Sequence, residues 1–497
     1  MPNVLGIDVG TSGLKAVLLA ANGGIVDEAN AEYALRSPQP GWTEQDPQDW
    51  WAATRSALAE LWSRGHSPAS VAAVGLTGQM HSLVLLDAAG SVLAPAILWS
   101  DQRTTAECQE ITDRIGAVEL LALTGNRALT GFTAPKLLWV RRHWPTVSAR
   151  AASMLLPKDF VRHRLTGELA TDMSDASGTL LFDVRHRRWS DDVVAALDID
   201  PRWLPQVHEG TSMTGSVSAA GAAATGLVQG TPVIAGGGDN AASAVGLGAL
   251  DPGVLTLSIG TSGVLFAPLE HYPEHVDGRL HVFCHAVPNR WHLMAVTLSA
   301  GGSLRWLRDL LEPALAMPAE TAYAWLMDRA AAAPPGADGL VFLPYLSGER
   351  TPYIDPRARG VFFGLHLGHR LEHLVRAVLE GVAFSQRQGL ELMRQAGAAA
   401  DVVRGAGGGL QSPLWQAIVA DALGVGVQTA RGGRGAAHGA AILAGLGVGL
   451  YADAAVGIVW AEEPRQAPDA DRGAALESAF ALYERLYPAL EAVFADA

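Results

Sequence analysis

Asp8 closes the apolar run Val4-Leu5-Gly6-Ile7 and is followed by Val9 and the turn Gly10-Thr11-Ser12-Gly13. The same pattern returns about half the chain later, where Val254 to Ile259 leads into Gly260-Thr261-Ser262-Gly263. A Gly-Thr-Ser-Gly turn points backbone N–H groups and two hydroxyls into a concavity, and its glycines let a phosphate come close. One copy reads equally well as a plain hairpin turn. Two copies in matching positions point to a duplicated anion site. The copies differ at one informative place, because Asp8 stands where the second has Ser258. A carboxylate beside phosphate needs a cation between them, and Mg²⁺ is held by one or two carboxylates plus phosphate oxygens. Asp8 is therefore assigned to Mg²⁺, through water, and the Ser258 turn to direct phosphate contact. The bland alternative for Asp8 is a turn-initiating aspartate.

A second aspartate sits where a strand-like run, Thr231 to Ala235, empties into Gly236-Gly237-Gly238-Asp239-Asn240. Small apolar residues follow as if opening a helix, so Asp239 is rigidly held yet open to a ligand near the glycines. A sugar hydroxyl attacking a phosphate needs a proton acceptor, which a carboxylate supplies. Asn240 can hold the neighbouring hydroxyl by donating and accepting. The alternative for Asp239 is a helix N-cap. Gly78-Gln79-Met80-His81 follows another strand-like run, placing its polar groups at a strand end, where ligands of α/β sheets collect. His81 could donate to a sugar hydroxyl or be a structural histidine. Trp42, Trp50, Trp51 and Trp99 lie near these motifs and could wall a sugar, or simply build core. Gly405-Ala406-Gly407-Gly408-Gly409-Leu410 lacks the dinucleotide fingerprint, but a glycine loop feeding a helix start suits a nucleotide.

The elements that must position these residues follow from pattern. Each Gly-Thr-Ser-Gly turn joins two short apolar runs, which predicts a β-hairpin. Asp46-Pro47 and Ser412-Pro413 mark helix starts before residues 48–64 and 413–423, and a long helix is expected over 371–396. Residues 71–76 and 82–86 read as strands. Hairpins rather than strict strand–helix alternation favour mixed sheets flanked by helices. The duplication predicts two homologous domains facing a cleft, residues 1–250 and 251–497, with the boundary at the turn near Asp251-Pro252-Gly253.

Composition narrows the partners. Among 497 residues, Lys and Arg number 36 and Asp and Glu 50, a net charge of −14. That surface repels nucleic acid and anionic membrane, so neither is an expected partner. An anionic substrate such as ATP then needs a local shield of metal ion and backbone amides. Two distant cysteines, Cys108 and Cys284, form no disulfide framework, and no basic leader precedes the first strand, so a cytoplasmic location is expected. The apolar stretch 436–450 is too short and too glycine-rich for a membrane span and reads as a core helix.

Taken together, these residues resemble the FGGY carbohydrate kinases, relatives of glycerol kinase, hexokinase and actin. The resemblance runs from Leu5 to about Leu446. Its signatures match at Gly131-Phe132-Thr133-Ala134-Pro135-Lys136-Leu137-Leu138-Trp139-Val140 and at Gly360-Val361-Phe362-Phe363-Gly364-Leu365. Trp42 to Pro47, Gly78 to His81, Leu156-Pro157-Lys158-Asp159, Gly238 to Asn240 and Ser347 to Pro352 are similar to the subgroup acting on D-xylulose. The resemblance implies two duplicated ribonuclease H-like domains of actin/hexokinase type, with ATP as co-substrate and Mg²⁺ as cofactor. It implies Asp239 as proton acceptor, Asp8 as needed for activity, and Met80, His81, Asp239 and Asn240 as pentulose contacts. Gly10, Thr11, Ser12, Gly260, Thr261, Gly301, Gly408 and Gly409 are expected at the nucleotide, and a homodimer is an allowed assembly. Another pentulose, a pentitol or gluconate is the alternative substrate, and a non-catalytic nucleotide or sugar sensor the alternative class. Ser82, Leu410, Arg434 and His438 depart from the subgroup's usual residues.

Overall fold

The computed structural model describes residues 1–315, 318–429, 435–454 and 465–496. In the first half, β1 (Asn3–Val9) and β2 (Gly13–Ala20) pair antiparallel across the Gly10–Gly13 turn, and β3 (Ile25–Glu32) extends them. Asp46 caps α1 (Pro47–Ser63), its carboxylate accepting from the Gln48 N–H at 2.9 Å, while Pro47 fills a position that needs no donor. β4 (Val71–Gly78) runs parallel to β1. After α2 (Thr133–His143), α3 (Pro157–Thr166) and the single-turn α4 (Met173–Ser177), the strands β5 (Met213–Ser216) and β6 (Pro232–Gly238) complete the sheet. Its order is β5-β6-β4-β1-β2-β3, and α5 (Asp239–Gly246) leaves directly from β6.

The second half repeats the plan with β7 (Gly253–Ile259), β8 (Gly263–Leu269), β9 (His281–Cys284), β10 (Trp291–Thr297) and α6 (Gly301–Leu315). α7 (Leu371–Gln395), β11 (Ala400–Ala406), α8 (Pro413–Leu423), β12 (Gly426–Thr429) and α9 (Ala436–Gly447) follow. The second sheet has the order β9-β10-β8-β7-β11-β12. The hairpin β1–β2 thus corresponds to β7–β8, the antiparallel β3 to β10, and the parallel pair β4 and β6 to β11 and β12. The duplication seen in two turns extends to five strands of each mixed sheet, β5 and β9 having no counterpart.

Each sheet buries an apolar core, built around Leu5, Ile7, Val74 and Leu76 in one half and Leu255, Leu257, Val403 and Val427 in the other. α9, from the second half of the chain, lies on the first sheet. A Cβ on Gly6 would stand 1.9 Å from the Ala437 carbonyl oxygen, and one on Gly75 1.9 Å from that of Ala440, so backbone touches backbone there. That contact accounts for the glycine and alanine content of residues 436–450. Among the described residues no helix is long and apolar enough to cross a membrane.

Candidate active site

Three parallel strands end side by side. Val9 of β1 pairs with Gly78 of β4, and Gly78 with Gly238 of β6. Asp8, the Gln79-Met80-His81 segment and Asp239-Asn240 therefore converge at one edge of the first sheet. β6 is irregular just before that edge. Its register slips between Ile234 and Gly237, and Gly236 adopts φ +74° with its Cα so close to β4 that a Cβ would meet the Leu76 carbonyl oxygen at 1.7 Å. Only glycine fits this bulge, which re-aims the strand end.

Gly238 holds the cap position of α5 and Asp239 is the first helical residue. Asp239 Oδ1 accepts the Asn240 backbone N–H at 2.7 Å and the Asn240 Nδ2 at 2.9 Å, which leaves Oδ2 open. Burial raises the Asp239 pKa to about 6, against the lowering effect of those bonds. Asp8 Oδ1 is buried without a hydrogen-bond partner. Burial first, then the charge of Asp239, raise Asp8 to about 7, with Lys15 opposing. An orphaned buried carboxylate oxygen beside a phosphate-type turn is costly alone and suits a divalent cation.

Met80 is buried against Gly238, where a Cβ would come 2.9 Å from its Sδ. His81, at φ +67°, places Nδ1 2.6 Å from the Gly178 carbonyl oxygen. A carbonyl only accepts, so Nδ1 carries the proton. Burial, then Lys136, hold the ring pKa well below its usual value, so it is neutral and Nε2 presents a lone pair. The expected donor role for His81 is thereby reversed: toward a ligand this nitrogen accepts. The His81 carbonyl is fixed by Thr133 Oγ1 and Lys136 Nζ, both at 2.9 Å, and Lys136 also reaches Gly131 O at 2.6 Å. Burial lowers Lys136 to about 7. Of the four tryptophans, Trp50 and Trp51 are core and Trp42 lies 3.7 Å under the Arg103 guanidinium. Trp99 alone stays open, 39% exposed, its indole N–H donating to Thr11 Oγ1 at 3.0 Å.

The two turns are braced from behind by different means. In the first, the Gly10 carbonyl accepts from Tyr33 OH at 2.5 Å and Gln79 Nε2 at 3.3 Å, and the Thr11 carbonyl from Gln45 Nε2 at 2.7 Å. In the second, the Gly260 carbonyl accepts from Gly301 N at 2.8 Å, and the Thr261 carbonyl from Ala300 N at 2.9 Å and Gly302 N at 3.0 Å. A trans peptide sets its N–H opposite its C=O, so the amides of Thr11, Ser12, Thr261 and Ser262 face away from the braces. Gln45 and Gln79 are buried and bonded to each other at 2.9 Å. Sequence reasoning gave Gln45, Gln79 and Tyr33 no role here, since only folding brings them behind residue 10.

The second turn opens into a cavity of about 330 Å³ that gathers Gly260, Thr261, Gly301, Gly408 and Gly409 with Tyr323 and Trp415. Gly301 is required, since a Cβ would stand 2.4 Å from the Gly260 carbonyl oxygen. Gly10, Thr11 and Ser12 lie on the other half. One apolar cluster joins the two halves, with Met80, Phe132, Phe283 and Val296 buried in it and Val264 and Leu298 packed against it. Leu410 is buried beneath Gly405 rather than lining the cavity, His438 is buried on α9, and Ser82 is buried with its hydroxyl accepting the Trp99 backbone N–H at 3.2 Å. Arg434 lies outside the described residues.

Comparison with known proteins places both halves of the chain in one family. Residues 3–246 match the N-terminal domain, and residues 255–448 the C-terminal domain, of the FGGY family of carbohydrate kinases. The xylulose kinase of Escherichia coli (strain K12) is 43% identical over 488 residues, covering 98% of this chain and 99% of that protein. The solved xylulose kinase of Rhodospirillum rubrum is 32% identical with a TM-score of 0.90, covering 99% of each chain. The gluconate kinase of Lactobacillus acidophilus is 26% identical with a TM-score of 0.92, covering 100% of this chain and 99% of that one. Twin braced turns, a strand-end aspartate pair and full-length similarity together leave one assignment: the chain belongs to the FGGY family of carbohydrate kinases.

Proposed function

We propose that the chain transfers the γ-phosphoryl group of ATP to the 5-hydroxyl of D-xylulose, forming D-xylulose 5-phosphate. The observation that carries this reading is the open Oδ2 of Asp239 at the strand edge that also holds Met80, His81 and Asp8. Asp239 accepts the proton of the attacking hydroxyl while Asn240, which orients the carboxylate, binds the adjacent hydroxyl. His81 Nε2 accepts from another, and Met80 and Trp99 offer apolar surface to C–H groups. The outward amides of Thr11, Ser12, Thr261 and Ser262 cradle the phosphates, with Gly301, Gly408 and Gly409 letting the nucleotide lie against backbone. Asp8 would hold Mg²⁺, through water, and the ion when bound neutralises charge on the β- and γ-phosphates.

On this reading residues 1–250 bind sugar and metal and residues 251–497 bind nucleotide, in a cytoplasmic enzyme whose dimeric state light scattering would test. Fold alone does not choose the sugar, since a gluconate kinase shares it. Similarity to the E. coli xylulose kinase favours D-xylulose. The test is ADP release with D-xylulose, D-ribulose, xylitol and gluconate. D-xylulose should give the highest kcat/KM, and a higher value for any other would reassign the substrate.

A further inference from the structure

A buried ionic cluster behind β6 has no part in the mechanism above. Lys158 Nζ lies 2.6 Å from Asp159 Oδ1, 2.9 Å from Asp172 Oδ1 and 3.3 Å from Asp175 Oδ2, and Arg162 Nε lies 3.4 Å from Asp159 Oδ1. All five side chains are fully buried. Burial, opposed by Lys158, pushes Asp175 well above the usual carboxylate range. Burying so many charges costs more than apolar packing of the same volume, which makes stability alone a poor reason for it.

Its hydrogen bonds lead to the catalytic strand end. Asp172 Oδ2 accepts the Ser174 backbone N–H at 2.7 Å and its hydroxyl at 2.5 Å. With that proton committed, Ser174 Oγ has a lone pair for the Gly238 N–H, which it accepts at 3.0 Å. Gly238 caps α5 and immediately precedes Asp239. On the other side of the bulge, Arg162 donates to Ile234 O at 3.0 Å and Ala235 O at 2.5 Å, and also to Thr214 Oγ1. The bonds fall on both flanks of the place where β6–β4 pairing slips, and add to the backbone bonds by which Ala235 and Gly236 donate to Ser212 O at 2.9 Å and Gly210 O at 2.8 Å.

We propose that this cluster is a positioning device for Asp239, acting through Ser174 on Gly238 and through Arg162 on the bulge. The proposal rests on the base role given to Asp239 above. Ser174 is fully buried with its hydroxyl engaged by Asp172 and Gly238, and on this proposal it sets where the carboxylate stands.

The test is steady-state kinetics of Ser174→Ala, Ser174→Thr and Asp172→Asn beside wild type, with thermal melts of each. Ser174→Ala should lower kcat on the order of 10- to 100-fold, the cost of a small misplacement of a reacting group. Its KM for D-xylulose should stay within about 3-fold, because ground-state sugar contacts are intact. Ser174→Thr, which keeps the hydroxyl, should recover most of the loss. Asp172→Asn should mimic Ser174→Ala, and the double variant should be no worse than either alone, as expected of one pathway. A wild-type kcat in Ser174→Ala would overturn the proposal, and so would a joint fall of kcat, KM and melting temperature without rescue by threonine. Asp239→Asn runs alongside: if it turns over normally the base role itself fails, whereas its collapse beside an unaffected Ser174→Ala removes only the positioning claim.

Discussion

Both N–H groups of Asn240 bond one oxygen of Asp239, so the carboxylate is oriented while its other oxygen stays available. A base must be deprotonated to accept a proton, and burial places Asp239 at about 6. At saturating Mg²⁺, which favours ionised Asp8, the kcat/KM for D-xylulose should therefore rise with pH through about 6 and level off above it, as read from rates between pH 5 and 8. A flat profile would exclude a group titrating there. Asp8→Asn should raise the Mg²⁺ concentration giving half-maximal rate by at least about 10-fold, checked by metal titration, because a neutral amide is a poorer partner for a hard cation. The Asp8/Ser258 contrast and the Gly-Gly-Gly-Asp-Asn run were legible because each is contiguous in the chain. The proton on His81 Nδ1 and the bond from Gly238 to Ser174 were not. Their partners stand 97 and 64 residues away, and no local pattern announces such pairs.

At the scale of elements, hairpins and helix starts followed local chemistry. Ser412 accepts the Trp415 N–H at 3.3 Å and Pro413 opens α8, as the dipeptide indicates. The seat of α9 on the first sheet is a tertiary fact, requiring Gly6 and Gly75 to meet Ala437 and Ala440. Lys158→Met would leave buried carboxylates uncompensated and should cost about 3–5 kcal/mol in denaturant unfolding. Burial also holds His281 at about 3 and His285 at about 4, both beneath the ordinary histidine value. The unfolded chain then binds more protons than the folded one from about pH 6.5 downward. Stability from these residues is full above that pH and declines as pH falls toward 4, so between pH 7 and pH 5 the melting temperature of wild type should fall relative to that of His285→Gln.

Over the whole molecule, the two halves repeat one plan but build their turns differently. One hairpin turn kept an aspartate beside it and is braced by Gln45, Gln79 and Tyr33; the other has Ser258 and is braced by the start of α6. If both turns grip one triphosphate, as proposed, D-xylulose with a non-hydrolysable ATP analogue should reduce the radius of gyration in solution scattering. An unchanged radius would argue against closure. The most direct test pairs ADP release with calorimetric titration of D-xylulose for wild type and Asp239→Asn. The variant should bind D-xylulose within a few-fold of wild type while its turnover falls on the order of 10²- to 10⁴-fold. Near-normal turnover by the variant would contradict the assignment of Asp239 as the proton acceptor.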